Sequence, residues 1–279
     1  MMFLIDAEQL EKLQTQNENI VIVDVRFQLQ DPSAGRIAYE SGHIPGAAYL
    51  DLNNDLSGKV YEHGGKHPLP NPKDFAQKLG EIGIDQDTTV VVYDQHNDMF
   101  ASRLWWLLQY MGHEKVYLLD GGFAAWIAKG YETSIEVPMF RKKTFQPNVS
   151  QDQIVDVNRI KENIESADAI LIDSRAKDRY LGKEEPLYKK AGHIPGAKNF
   201  FWKNVLREDG SWKTEEELRE HFASLNKDDE IIVSCGSGVS ACPNILALKR
   251  LGYKNVKLYP GSFSDWISYE DNRVEKRDE

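Results

Sequence analysis

The hydrophobic positions of this chain fall into short continuous runs rather than into an alternating pattern. The runs VIVDV at residues 21–25, TVVVYD at 89–94 and EIIVSC at 230–235 are rich in Val and Ile. Such runs are typical of strands that are buried on both faces of a parallel sheet. The stretches around residues 75–79 and 104–110 have helical spacing and predict crossover helices between these strands. The pattern therefore indicates an α/β fold.

The chain also repeats itself. The hexapeptide GHIPGA occupies residues 42–47 and returns at 192–197, each time after an apolar run that ends in Asp-x-Arg. Those two pairs are Asp24 with Arg26 and Asp173 with Arg175. A period of about 150 residues is too long for a solenoid and indicates two copies of one domain. We place the copies at residues 1–135 and 150–279, and a linker at 134–150, where two prolines and a basic cluster interrupt the periodicity.

Composition and charge exclude several classes of protein. The 279 residues carry a formal net charge of −10, which argues against a general nucleic-acid binder but allows a locally positive site for a small anion. Residues 1–16 lack the features of a signal peptide, and no run approaches the length of a membrane span. With two cysteines, a disulfide framework and a Cys-rich zinc site are excluded, and a reducing cytoplasm is the expected location.

Cys235 is the residue that we single out for chemistry. It ends an apolar run and is followed by a glycine-containing loop and then by a helical pattern. The carboxyl ends of parallel strands carry ligand sites, backbone N–H groups of such a loop can form a nest for an anion, and a helix N-terminus adds positive potential. Together these features favour a reactive thiolate over a buried structural cysteine. The expected anion-binding residues are Gly236, Ser237, Gly238, Val239 and Ser240.

Three other residue types have a structural interpretation. Cys242 lies beside Pro243 in the helical pattern, and we interpret it as a small buried hydrophobe rather than as a resolving thiol. The two GHIPGA histidines are expected to fix their turns by local hydrogen bonds. We interpret Trp105 and Trp106 as helix core rather than as a partner surface.

These motifs together resemble the two-domain rhodanese family, the thiosulfate and mercaptopyruvate sulfurtransferases. The resemblance covers nearly the whole chain and rests on the two Asp-x-Arg and GHIPGA elements, with a cysteine only in the second copy. It implies an α/β fold of two tandem rhodanese-like domains, each a parallel five-stranded sheet flanked by helices, with the site near their interface. In the first copy Asp94 stands in place of the cysteine, in a loop that we expect to be longer, so that copy should be non-catalytic and form one wall of the cleft.

The resemblance implies an enzyme that moves a sulfane sulfur through a Cys235 persulfide. The donor would be a small anion. The acceptor would be cyanide or a thiol, and the thiol would belong to a small molecule or to a thioredoxin-like protein. No metal or organic cofactor is implied. The uncharged loop CGSGVS is similar to those of mercaptopyruvate enzymes. Thiosulfate, a dianion that profits from extra cations, is the alternative donor.

The resemblance also implies residues that bind the donor. Arg179 matches the first of two arginines that grip the donor in mercaptopyruvate enzymes, with a structural ion pair as its alternative role. The second arginine is missing, and Lys190 or Lys189 is its expected substitute. A Ser–His–Asp relay would match Ser237 and His67, with Asp51 or Asp55 as the acid, although His67 is also compatible with a plain loop histidine.

Two rival functions remain to be separated. A cysteine phosphatase or arsenate reductase would need a cation in the loop, and residues 235–242 contain neither Arg nor Lys. A binding or sulfur-relay module with a protein acceptor would have the same loop, so the sequence does not exclude this function.

Overall fold

The apolar runs form two parallel sheets, one after the other along the chain. The computed structural model describes residues 3–16 and 19–276. The first sheet has the strand order β1-β5-β4-β2-β3, with all neighbouring strands parallel. The elements of this first unit are β1 Leu4–Ile5, α1 Ala7–Gln16, β2 Ile20–Asp24, α2 Ala34–Ser41, β3 Ala48–Tyr49, α3 Pro72–Glu81, β4 Thr89–Tyr93, α4 Met99–Tyr110, β5 Val116–Leu119 and α5 Gly122–Ala128.

The second unit repeats this arrangement with one strand fewer. Its sheet has the order β7-β6-β8-β9 in the described part of the chain. A single parallel bridge between Ile154 and Leu258 occupies the edge that β1 fills in the first sheet. The elements are a 3-10 helix Gln151–Gln153, α6 Val157–Ser166, β6 Ala169–Asp173, α7 Lys177–Tyr180, β7 Lys198–Asn199, a 3-10 helix Trp202–Val205, α8 Glu215–His221, β8 Glu230–Ser234, α9 Cys242–Arg250, β9 Val256–Leu258 and α10 Ser262–Trp266.

The repeated Asp-x-Arg motif fastens the GHIPGA turn to the end of a strand. Arg26 donates from Nε to the Asp24 carboxylate at 2.9 Å and from Nη2 to the Gly42 carbonyl at 2.7 Å. The second copy has the same bonds among Arg175, Asp173 and Gly192. A buried carboxylate and guanidinium satisfy each other while the free end of the guanidinium holds the turn. The motif pair is therefore a structural device that both copies need.

The two histidines of the turns have the structural role that was expected. His43 and His193 are fully buried. The His43 Nδ1 atom lies 2.8 Å from the Tyr39 carbonyl, and its ring stacks on Tyr39 with centroids 3.9 Å apart. His193 repeats both contacts with Tyr180, at 2.7 Å and 3.8 Å.

One hydrophobic core runs through both units. It includes Leu104 and Trp105 of α4 together with Ile245 and Leu248 of α9, because these two helices pack against each other. Trp105 and Trp106 are fully buried, which confirms their interpretation as core. Among the described helices, none has the length and apolar character needed to cross a membrane.

The segment between the units is pinned to the first of them. The Lys143 N–H donates to the Gly80 carbonyl at 2.9 Å, the Asn148 N–H donates to the Met111 carbonyl at 2.9 Å, and Phe145 is buried. The segment contains no helix or strand between α5 and residue 151, yet α3 and the end of α4 fix its course.

Candidate active site

Cys235 lies directly after β8, at the carboxyl edge of the second sheet. Its Sγ accepts the N–H of Gly238 at 3.1 Å, and the side chain is 1% exposed. Gly238 has a φ of +79°, and a Cβ at this position would lie 2.3 Å from the Pro260 carbonyl oxygen. Only glycine fits this conformation and this close approach. The turn thus aims a backbone donor at the sulfur.

A second segment, residues 262–264, supports the loop from the other side. The Cys235 N–H donates to Ser262 Oγ at 3.0 Å, and the Ser262 hydroxyl donates to the Tyr259 carbonyl at 2.8 Å. The Phe263 N–H donates to the Cys235 carbonyl at 3.0 Å, and the Ser264 N–H to the Gly236 carbonyl at 2.9 Å. The backbone of Cys235 is therefore held at both its N–H and its carbonyl.

His67 and Ser237 meet at the loop, although they come from different units. His67 lies between β3 and α3, and its Nδ1 is 2.7 Å from Ser237 Oγ. Burial, followed by the charges of Arg103 and Lys66, lowers the pKa of His67 to about 4. The imidazole is therefore neutral at physiological pH and can orient the serine hydroxyl.

The two candidate acids of the relay have other partners. Asp51 accepts the N–H groups of Asn53 and Asn54, both at 2.9 Å. Asp55 pairs with Lys78 at 2.8 Å. Neither carboxylate is hydrogen-bonded to His67, so the structure brings together the serine and the histidine of the predicted relay but not an acid.

The remaining loop residues differ in what they contact. Val239 is 2% exposed and belongs to the hydrophobic core, whereas Ser240 is half-buried. Cys242 begins α9, is fully buried and donates its thiol to the Gly238 carbonyl at 3.5 Å. Burial raises the pKa of Cys242 to about 12, so it remains a thiol. Both cysteines are free.

Tyr188 lies against the loop, and Arg179 lies over the Tyr188 ring, with its guanidinium carbon 5.4 Å from the ring centroid. Arg179 bonds to Glu185 at 2.8 Å, but its Nε is buried and has no partner among the described residues. The hydroxyl of Tyr188 covers Gly236, where an added Cβ would lie only 2.8 Å from it. Burial, and then the charge of Cys235, raise the pKa of Tyr188 to about 12, so it can act as a hydrogen-bond donor. Sequence reasoning missed Tyr188, which lies just before the lysines that were considered as substitutes.

A cleft of about 460 Å³ opens beside Tyr188 and Ser264. Lys190 lines it, but its ammonium donates to the carbonyls of Tyr269, Glu270 and Asn272 at 3.5, 3.1 and 3.4 Å. These three hydrogen bonds hold the Lys190 ammonium against the segment 269–272. The role of Lys190 in donor binding stays a prediction.

Arg103 of α4 is a second residue that sequence reasoning missed. It is fully buried, donates from Nη1 to the Gly238 carbonyl at 3.2 Å and from Nη2 to the His67 carbonyl at 3.2 Å. A signal was present in the sequence, because Arg103 is the one charged residue of the helix MFASRLWWLLQY. A charge in a helix that is apolar on all sides points to a buried polar contact.

Asp94 occupies in the first unit the place of Cys235 in the second. Its Oδ1 accepts the N–H of Asp98 at 2.9 Å and its Oδ2 the N–H of Ala101 at 2.8 Å. Burial, and then the charge of Asp98, raise the pKa of Asp94 well above its usual range. The prediction of a longer loop was wrong: α4 begins at Met99, five positions after Asp94, whereas α9 begins at Cys242, seven positions after Cys235.

Comparison with known proteins identifies the class to which this fold and site belong. The family model of the rhodanese-like domain matches residues 6–129 and 156–269, and the chain belongs to this family. A protein of Pseudomonas aeruginosa named "Probable 3-mercaptopyruvate sulfurtransferase" is 39% identical over 95% of each chain. The thiosulfate sulfurtransferase of Cricetulus griseus is 35% identical over 88% of this chain and 84% of its own.

A solved structure agrees with these relatives. The crystal structure of the 3-mercaptopyruvate sulfotransferase SseA from Escherichia coli superposes with a TM-score of 0.83 and 34% identity, over 95% of this chain and all of that one. The chain is a sulfurtransferase of two rhodanese domains.

Proposed function

We propose that this sulfurtransferase takes a sulfur atom from 3-mercaptopyruvate onto Cys235 and passes it to a thiol or to cyanide. The observation that carries the proposal is the Gly238 N–H donated to Cys235 Sγ at 3.1 Å, in a loop without charged side chains. Backbone donors aimed at a sulfur favour its anionic form, both as thiolate and as persulfide. A small anionic donor with one carboxylate suits the uncharged loop.

The chemistry proceeds in two displacements. Arg179 orients the donor carboxylate, and the Cys235 thiolate attacks the donor sulfur. The carbon–sulfur bond breaks, its electron pair passes to pyruvate as the enolate, and the enolate takes the proton that the donor thiol loses, so that a persulfide anion and pyruvate remain. Ser237, whose Oγ accepts from the Nδ1–H of neutral His67, and Tyr188 donate hydrogen bonds to the oxygen that becomes negative. An acceptor thiolate or cyanide then attacks the outer sulfur of the persulfide and releases the Cys235 thiolate.

Thiosulfate is the second candidate donor, because relatives of similar identity carry names for either donor. With thiosulfate, the sulfur–sulfur bond of the donor breaks and sulfite leaves with the electron pair. The acceptor belongs to the thiol class, on a small molecule or on a thioredoxin-like protein. The proposal places the protein in the cytoplasm, where two free thiols would stay reduced.

The proposal assigns different roles to the two halves. Residues 150–279 form the catalytic domain because they contain the thiol and its loop. Residues 1–135 form a domain without a nucleophile, and this domain contributes His67 and Arg103 to the site.

The test is mass spectrometry of the intact protein after it is mixed with each donor. We expect one additional sulfur atom on Cys235, faster with 3-mercaptopyruvate than with thiosulfate, and none on the Cys235→Ser variant. Cys242→Ser is the matched control and should gain the sulfur like the wild type. Labelling of Cys242 instead, or no gain with either donor, would refute the proposal; faster labelling by thiosulfate would reassign the donor.

A further inference from the structure

The segment of residues 63–67, here called the histidine segment, brings His67 to the second domain without a helix or strand of its own. It lies between β3 and α3, and its Gly64 and Gly65 have positive φ values of +100° and +84°. An irregular segment with two such glycines loses much conformational entropy when it is fixed in one place. The position of the His67 ring therefore depends on what the segment contacts.

The histidine segment lies against the start of α10 in the second domain. The Gly64 N–H donates to Asp265 Oδ1 at 2.7 Å. Gly65 approaches Gly261 so closely that an added Cβ would lie 2.5 Å from the Gly261 carbonyl oxygen. The segment is therefore docked on the second domain just before the chain reaches His67.

The same short helix also holds the loop that follows Cys235. The Phe263 N–H donates to the Cys235 carbonyl at 3.0 Å, and the Ser264 N–H donates to the Gly236 carbonyl at 2.9 Å. The Ser264 hydroxyl oxygen in turn accepts the Lys66 N–H at 3.1 Å. Because α10 bonds to both the histidine segment and the thiol loop, it sets the distance between them.

Asp265 is the charged group at this junction. It is 5% exposed, and its Oδ2 accepts the Tyr259 hydroxyl at 2.5 Å while its Oδ1 accepts Gly64. Burial, and then the charge of Asp265, raise the pKa of Tyr259, so this hydroxyl keeps its proton and donates. A carboxylate accepts a hydrogen bond more strongly than a neutral oxygen does. The bond from Gly64 to Asp265 is thus the strongest polar contact that docks the segment.

We propose that Asp265 is a positioning residue for His67. By accepting the Gly64 N–H it holds the histidine segment on α10, and so keeps His67 Nδ1 at 2.7 Å from Ser237 Oγ. Asp265 acts on the reaction through these two side chains. The inference rests on the proposed function, in which Ser237 donates to the oxygen that becomes negative.

The test compares Asp265→Ala, which removes the acceptor, with Asp265→Asn, which keeps an oxygen for Gly64 and can donate to the Tyr259 oxygen. The first readout is the NMR titration of the His67 ring, whose pKa burial holds near 4. A ring released into water regains a higher pKa, so we expect a rise of about one pH unit or more in Asp265→Ala. Asp265→Asn should recover most of the wild-type value, and the exposed Asp271→Ala should match the wild type.

The second readout is steady-state kinetics with 3-mercaptopyruvate. Since Ser237 acts on the charge that develops during the reaction, Asp265→Ala should lower kcat about fivefold and change KM little. In the His67→Gln background the same substitution should cause no further loss, because both act through one contact. Additive losses, or an unchanged His67 titration in folded Asp265→Ala, overturn the inference.

Hydrogen exchange covers the case in which Asp265→Ala does not fold. The Gly64 N–H should exchange about tenfold more slowly in the wild type than in the isosteric Asp265→Asn, whose neutral oxygen accepts more weakly. Equal exchange in the two proteins means that the carboxylate does not hold Gly64, and this result also overturns the inference. If the wild type gains no sulfur, the proposed function fails, and the NMR measurements still decide whether Asp265 positions His67.

Discussion

His67 and Ser237 lie 170 positions apart in the chain and 2.7 Å apart in the structure. At the scale of single residues, the site is built from such distant partners. The sequence pointed to Cys235 because strand, thiol, glycines and helix are neighbours along the chain. The contact of His67 with Ser237 was expected only from the family resemblance, since nothing in the local spacing indicates which loop of one domain reaches the other.

The lowered pKa of His67 predicts a specific loss of stability in acid. The folded state holds this pKa near 4, against 6.5 in the unfolded chain, so the unfolded state binds more protons between these values. The stability contribution of neutral His67 is complete above pH 6.5 and is lost as the pH falls toward 4, by about 3 kcal/mol in total. Urea unfolding at pH 7, 5.5 and 4 should show the wild type losing more stability than His67→Gln.

The exposed His63 provides the control for this measurement. His63→Gln should lose as much stability as the wild type does when the pH is lowered from 7 to 5.5 and to 4. If His67→Gln and the wild type instead lose stability in parallel, then His67 is protonated in the folded protein and the orientation of Ser237 by a neutral ring is wrong.

Tyr188→Phe should weaken the use of the donor without unfolding the protein. The hydroxyl covers Gly236 at the loop, and one lost hydrogen bond to a developing charge costs about 1.5–3 kcal/mol. Steady-state kinetics with 3-mercaptopyruvate should show kcat/KM falling about tenfold or more. Tyr61→Phe, a 68% exposed tyrosine on the same cleft, should have wild-type kinetics. Equal kinetics for the two variants would remove Tyr188 from the site.

At the scale of elements, the loop depends on backbone geometry that only glycine permits. Gly238 and Gly196 both have a positive φ, of +79° and +75°. A Cβ at Gly238 would lie 2.3 Å from the Pro260 carbonyl, whereas nothing lies within 4 Å of one at Gly196. Substitutions at these two glycines therefore separate the free-energy cost of the backbone conformation from that of the close approach to Pro260.

We expect Gly196→Ala to cost about 1–2 kcal/mol of stability, which is the strain of a non-glycine residue at positive φ. Gly238→Ala should cost more and should also abolish labelling of Cys235, because the loop must move away from Pro260 and the N–H donor with it. Urea unfolding measures the loss of stability of each variant, and mass spectrometry measures the labelling of Cys235. Normal labelling of Gly238→Ala would show that the Gly238 N–H is dispensable.

The long elements could be predicted from the sequence, and the short ones could not. The apolar runs at 89–94 and 230–235 became β4 and β8, and helical spacing located α3 and α4. The expectation of five strands was met in the first sheet, whereas the second has four in the described residues. Its missing edge strand corresponds to β1, a strand of two residues, and a pairing this short leaves no periodic signal in the sequence.

At the scale of the whole molecule, the two domains share one core through α4 and α9. The repeat predicted two domains correctly, but similar copies do not reveal how they pack together. The shared core and the pinned segment before residue 151 make each domain dependent on the other. The site has the same dependence, since the thiol lies in one domain and His67 and Arg103 in the other.

The shared core predicts that the protein unfolds in a single transition. Tryptophan fluorescence and the ability of Cys235 to gain sulfur should be lost together in urea. Residues 150–279 expressed alone should expose the apolar face of α9 and gain no sulfur. Two separate unfolding transitions, or a fragment that is labelled like the full chain, would contradict this view of one cooperative unit.

The two hydrogen bonds that the Asp94 carboxylate accepts bear on how two copies of one domain can differ at this turn. Inward-pointing N–H groups at the end of a strand need an acceptor, and leaving one buried and unpaired costs about 1–3 kcal/mol. A copy without the cysteine sulfur therefore needs another acceptor for these N–H groups in order to keep its fold. Aspartate meets that need with two oxygens, so the first domain can keep this turn folded without a cysteine.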